Sequence, residues 1–271
     1  SGSLLIQGAQ VWTQSSRGVL KDCDVLIQDG KIRQVGSQLV APAGVPIVNG
    51  KGLHLVPGLI DAHSHTAILG NVNEGTLSVT SMVRVKDVIK PLDRSIYLQL
   101  SGGVTAANMM HGSANAIGGQ VITCKRKCDA SAEEMIFRAA PEGIKFALGE
   151  NPKQSWGEKP SARYPQTRMG VAEIIRHKFV EAKLYRRAQQ EFQAGRTSLP
   201  VRADLSLDAL LEILDGKRLI HCHSYRQDEI LMLLRLAQAE GFKVATFQHV
   251  LEGYKVADEI ARHGAGASAF S

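Results

Sequence analysis

Two hydrophobic rhythms divide the chain. Up to about residue 56 the apolar positions come in short strand-like runs, Leu4 to Trp12, Val25 to Gln28 and Lys31 to Val35, with Asp29-Gly30 marking a tight turn between the last two. From Leu59 onward strand runs alternate with helical stretches, the pattern of parallel βα units. The strands expected there are Leu59 to His63, Val104 to Met110, Gly119 to Cys124, Ile144 to Leu148, Arg218 to His221, Lys243 to His249 and Ala265 to Phe270. The helices expected between them are Asp93 to Leu100 ahead of Gly102-Gly103, Arg168 to Gln193, Leu207 to Leu214 after a cap at Ser206, Gln227 to Glu240 stopped by Gly241, and Tyr254 to His263 stopped by Gly264. The fold class is therefore α/β: a TIM-like (β/α)8 barrel over 57–271, with about seven of its eight strands, behind a small β unit over 1–56.

Composition changes this picture little. At 271 residues, 44% hydrophobic and 21% charged, the chain has the make-up of a globular protein, and no apolar run approaches the roughly 20 residues of a membrane helix. The formal charge of +6 raises the question of nucleic acid. The basic residues are dispersed, however, and the densest group, Arg176 to Arg187, is interleaved with Glu173 and Glu181 as on a solvated helix face. Neither nucleic acid nor membrane is an expected partner. Four cysteines make no disulfide framework for this length, and Cys124 and Cys128 lack the second ligand pair of a zinc knuckle. A start at Ser1-Gly2-Ser3 leaves an already removed export signal open, with the cytoplasm as default.

The candidate chemistry lies at strand ends. In Pro57-Gly58-Leu59-Ile60-Asp61-Ala62-His63-Ser64-His65 the two histidines are two apart, so both imidazoles point to one side and can reach one metal ion. Lys145 and Glu150 stand near the fourth strand end, His221 and His223 at the fifth and His249 at the sixth. A parallel barrel gathers such ends at one mouth. Imidazole and oxygen donors suit zinc, iron or manganese, with zinc the default and one or two ions. His111, Asn115 and Gln120, in a stretch dense in small and amide residues, are candidates for holding a substrate carbonyl or carboxylate. The aperiodic segment 151–167 is read as a loop covering substrate, against a plain surface insertion. His54, His177 and His263 receive no chemistry.

In order and context these motifs resemble the metal-dependent amidohydrolase superfamily, specifically the branch related to imidazolonepropionase. The resemblance implies a lysine at the Lys145 position carboxylated by carbon dioxide and bridging two metals, with Glu150 as the rival ligand. It matches His221 to the fifth-strand ligand, leaving His223 to touch substrate or support a ligand, and His249 to the sixth. It also implies that 1–56 is the N-terminal part of a β-sandwich side domain, and a metal-binding aspartate on an eighth strand that no residue here fills, so that no catalytic residue is assigned, the chain reads as truncated, and weak metal binding with little turnover is expected. The implied activity is hydrolysis of a carbon–nitrogen bond in a small-molecule or peptide-like substrate. A deaminase or esterase using the same site, and a non-catalytic metal-binding barrel, are the alternatives. Exposed strand edges lead to an expectation of homo-oligomers.

Overall fold

Asp29 and Gly30 both take positive φ, 52° and 72°, the backbone that a two-residue hairpin turn requires. In the computed structural model, which describes residues 2–153 and 163–269, they join β2 (Val19–Gln28) to β3 (Lys31–Gly36). Together with β1 (Leu4–Trp12), β4 (Ile47–Asn49) and β5 (His54–Leu55) these strands form one sheet, in the order β3-β2-β1-β4 with β5 also on β1. Ala9, Val11, Cys23 and Val25 form its core. The buried Asp24 carboxylate ties the sheet to its connections by accepting the backbone N–H of Gly8 and of Leu39. This unit ends at Leu59, and a second begins at Ile60.

The second unit is a near-closed, seven-stranded barrel with helices around it. Its strands are β6 (Leu59–Ser64), β7 (Val104–Met109), β8 (Ile117–Lys125), β9 (Glu142–Ala147), β10 (Arg218–Ser224), β11 (Val244–His249) and β12 (Gly266–Ser268), neighbours in that order. Helices α1 (Arg94–Ser101), α2 (Ala132–Met135), α3 (Arg168–Gln193), α4 (Leu205–Leu214), α5 (Gln227–Glu240) and α6 (Ala257–His263) lie between them. The stops at Gly241 and Gly264 are real, both glycines being left-handed C-caps. The α4 cap, by contrast, is Asp204, whose carboxylate accepts from Ser206 N and Leu207 N, so the helix starts two residues before the expected Leu207. Among the described residues no helix is long and apolar enough to cross a membrane. Residues 154–162 of the expected covering loop, and Phe270, lie outside the described residues.

One strand departs from the parallel pattern. β8 runs antiparallel to both β7 and β9, whereas β9, β10, β11 and β12 pair in parallel. The connection from β7 to β8 is thus a hairpin-like return, and it brings 110–116 to the same mouth as the C-terminal ends of β7 and β9. Alternation along each strand then divides the chemistry. On β9, Ile144 and Phe146 face the helices and Lys145 faces inward; on β10, Ile220 and Cys222 face the helices and His221 and His223 face inward. In β11 a register shift opposite Ile220 and His221 changes parity, so that Phe247 joins the core and Gln248 turns inward.

The apolar layer behind β9 to β11 is what holds these strands in register. Phe179 of α3 stacks on Phe242 at 4.1 Å between ring centroids and lies 6.3 Å from Phe146, and all three side chains are buried. Truncating such a ring costs about 3–5 kcal/mol, through lost burial and the cavity left behind. Phe179→Ala is therefore expected to lower the urea midpoint steeply with an unchanged slope, and a midpoint within error of the parent would refute this role for the layer.

Candidate active site

The centre of the site is set by two hydrogen bonds on the far sides of two rings. His63 Nδ1 lies 2.9 Å from Gln248 Oε1, and His65 Nδ1 lies 2.9 Å from the carbonyl of Met110. Both partners are acceptors, so in the neutral rings each Nδ1 carries the proton and each Nε2 presents its lone pair to the barrel interior. Those two Nε2 atoms face each other at 3.1 Å, and the Lys145 amine stands 3.4 Å from the first of them. Two lone pairs converging at this distance repel unless a cation or a proton lies between them.

His249 and His223 continue the arc. The His249 ring centroid lies 5.2 Å from that of His63 and 4.5 Å from that of His223. His249 reaches the group because it and Val250 take left-handed φ of 64° and 50°, a conformation uncommon away from glycine and concentrated at functional sites. Neither nitrogen of the buried His223 has a hydrogen-bond partner, and Tyr225 stands edge-on to it at 4.5 Å. His221 is elsewhere. It pairs in register with Lys145, and its ring lies against Gly143, where an added Cβ would come within 3.0 Å of it, so it occupies the layer nearer the N-terminal ends of the strands. Glu150 is also outside the arc, its carboxylate directed to Lys153 and Arg168.

The amide-rich stretch is engaged with backbone. His111 Nε2 accepts the Glu74 N–H at 2.8 Å while its Nδ1 donates to Gly112 O. Asn115 Nδ2 donates to the carbonyls of Glu74 and Leu77, and Gln120 Nε2 to that of Ser81. Arg163 adds bonds to the carbonyls of Gly75, Leu77, Ala114 and Pro152. These bonds hold the segment 74–81, whose residues Glu74, Gly75 and Thr76 form, with Asn71, Val72 and Asn73, one wall of a cavity of about 940 Å³ that His65, His223, Tyr225 and His249 also line. Two contributors were not singled out in the sequence, Gln248 and Tyr225. An amide in the middle of an apolar strand next to a histidine was the available signal for Gln248, since a buried amide must find a partner.

A divalent cation fits this donor set: neutral imidazoles, two of them with tautomers locked from behind as metal-binding histidines require, and a buried amine that must lose its charge to join them. Among the described residues no three His, Cys, Asp or Glu side chains already form a closed ligand set; the rings form an open arc with Lys145 at its floor.

Burial dominates the titration of the group. It pulls His63 and His223 down to about 3 and His221 and His249 to about 4, with Lys145 lowering all four further and His249 also acting on His223. Lys145, fully buried, is lowered to about 8. An unfolded histidine titrates near ~6.5, so between that value and the native ones the unfolded chain binds more protons. This contribution to stability is complete above the unfolded value and is lost as the pH falls toward 3 to 4. In chelator-treated protein the urea midpoint is expected to fall between about pH 7 and about pH 4, and the ring signals of these histidines to stay in the neutral form at about pH 5.5. A flat stability profile, or imidazolium signals at that pH, would contradict the assignment.

Comparison with known proteins follows the same line. No protein-family profile matches the chain. Amidohydrolase tasK of Hapsidospora irregularis is 29% identical over 272 residues, which is 90% of this chain and 27% of that protein. A dihydroorotase of Pelobacter propionicus is 44% identical over 63 residues, 23% of this chain and 15% of that enzyme. The chain thus spans well under a third of the curated relatives it matches. The crystal structure of an amidohydrolase from Thermotoga maritima MSB8 superposes with a TM-score of 0.88 at 33% identity, covering 98% of this chain and 70% of that one. With that identity sustained along nearly the whole chain, on a barrel whose strand ends bring the histidines together, the chain belongs to the amidohydrolase superfamily.

Proposed function

We propose that the chain is the metal-binding, reaction-bearing part of a hydrolase that cleaves a carbon–nitrogen bond, of the amide, cyclic amide or peptide kind, in the imidazolonepropionase-related branch. The observation that carries this reading is the convergence of the His63 and His65 Nε2 lone pairs at 3.1 Å with their Nδ1 protons held from behind. His63, His65, His249 and His223 would hold the cation, with zinc favoured by the nitrogen donors. A divalent cation held there would polarise a substrate carbonyl and acidify a water molecule.

In the proposal His223, rather than the His221 expected from likeness, serves at the fifth strand. Its ring adjoins His249 and both its nitrogens lack partners, while the His221 ring lies a layer below against Gly143. Lys145 is the fourth-strand ligand in preference to Glu150, whose carboxylate is neutralised by Lys153 and Arg168. With its pKa lowered to about 8, roughly a tenth of Lys145 is the free amine at about pH 7. Its lone pair can attack carbon dioxide, forming an N–C bond and releasing one proton, which gives a carbamate anion with oxygens to offer. Tyr225 and the wall at 74–76 limit how a substrate enters. A cavity of about 940 Å³ is at the upper end of the range for small-molecule sites and suits a dipeptide or N-acyl amino acid.

Zinc-loaded protein is to be assayed against N-acyl amino acids, dipeptides and lactams. Turnover of at least one class is expected, with Lys145→Met and His223→Asn lowering kcat on the order of 100-fold or more and His221→Asn no more than about tenfold. Stoichiometric zinc without turnover of any of them would sink the hydrolase reading, and a larger loss from His221→Asn than from His223→Asn would reverse the choice of ligand.

A further inference from the structure

Arg126, the residue that follows β8, is 3% exposed and has no carboxylate bonded to it among the described residues. Its Nε has no acceptor. A guanidinium buried in this way is costly, and an apolar side chain of similar volume would fill the space at less expense in stability. Its contacts show what the charge is used for. Nη2 donates to Thr66 Oγ1 at 2.8 Å and to Ser64 Oγ at 3.3 Å, while Nη1 faces the Met109 sulfur at 3.7 Å. Ser64 and Thr66 are the residues on either side of His65. Their hydroxyls lie 2.8 Å apart, Thr66 N lies 3.3 Å from Ser64 Oγ, and Gln99 Nε2 reaches Thr66 Oγ1 from α1. The Ser64 carbonyl accepts from Met110 N at 2.8 Å, and the Met110 carbonyl in turn receives the His65 Nδ1 proton.

We propose that Arg126 is a positioning residue for the His63 and His65 pair: its Nη2, held in place by the planar guanidinium, grips the two hydroxyls that flank His65 from the side of the strand opposite the rings, and so fixes where both Nε2 atoms point. Charge makes these hydrogen bonds stronger than neutral ones, and the guanidinium reaches both hydroxyls from one nitrogen. With the fork removed, the segment 64–66 keeps its backbone bond to Met110 but loses the constraint on the peptide planes around His65. The distance between the two ring nitrogens then becomes variable. The inference rests on the metal-site reading only in taking that pair as ligands.

The experiment compares the parent protein with Arg126→Met and Arg126→Lys by cobalt(II) titration, by nitrogen-15 imidazole spectra of metal-free protein and by urea unfolding. Arg126→Met is expected to weaken cobalt binding by about tenfold or more, to change the cobalt visible spectrum, and to broaden or lose the His65 Nδ1–H signal, with a urea midpoint equal to the parent's or higher. Arg126→Lys, which keeps a charge without the fork, is expected to recover part of the affinity. Unchanged affinity, spectrum and His65 signal in Arg126→Met would overturn the proposal. If the parent takes up no cobalt, the ligand reading fails, and the His65 signal in metal-free protein still decides the role of Arg126. Should Arg126→Met not fold, Thr66→Val removes the shorter contact together with the hydroxyl's bonds to Ser64 and Gln99, and Gln99→Leu, which removes only the Gln99 bond, is the control; Thr66→Val is expected to shift the same two readouts in the same direction and further than Gln99→Leu does, and no shift in either readout, or an equal one in the control, would equally overturn the idea.

Discussion

Two imidazole nitrogens held face to face at 3.1 Å are the constraint on which this barrel's rim is built. Left to themselves, His63 and His65 would relieve the contact by moving a proton or rotating a ring. The Gln248 and Met110 oxygens prevent it, because turning either ring gives up a partly buried hydrogen bond, and an unmade buried bond costs on the order of 1–3 kcal/mol. The contact is held in the native state, and under the proposed function a bound cation would relieve it. The left-handed backbone at His249 and Val250 adds a second local cost at the same rim, in keeping with strain concentrated where function is.

Such a rim stays in place only because the same strands are strongly apolar on their other face. Lys145 lies between Ile144 and Phe146, and His221 and His223 between and beside Ile220 and Cys222; these four apolar neighbours belong to the layer that packs against the helices. A shift of one residue in any of these strands would exchange the faces, burying imidazoles among leucines and turning Phe146 into the barrel. The site's geometry is thus secured by hydrophobic packing on the opposite side of each strand.

This division explains what was legible in the sequence. Strand runs and the His63, His65, Lys145 and His249 positions could be read because alternation and strand ends are local properties. The reversal of β8 could not, since parallel and antiparallel strands share the same two-residue alternation. The choice between His221 and His223 depends on depth along the barrel axis, and both lie on the same face of β10. His111, Asn115 and Gln120 were read as candidates for holding substrate, and one nitrogen of each, His111 Nε2, Asn115 Nδ2 and Gln120 Nε2, is engaged with the backbone of 74–81, an arrangement that exists only once β7 and β8 turn back at the mouth. Gln248 and Arg126 were passed over for a related reason: each acts through a histidine remote in sequence or offset by one strand face.

The polar residues of the barrel mouth therefore fall into two groups by what they hold. One group, His111, Asn115, Gln120 and Arg163, binds main chain and fixes the shape of the cavity wall. The other, Gln248 and Arg126 with the Met110 carbonyl, binds the histidines or their immediate neighbours and fixes the direction of lone pairs. A loop wall can change its side chains at Asn71, Thr76 or Ser113, which line the cavity, with little effect on the second group, because the bonds described for the first group go to main chain. Substrate selection and cation capture are then separable in this fold, the first residing in the segments that cover the mouth and the second in the strand ends beneath them.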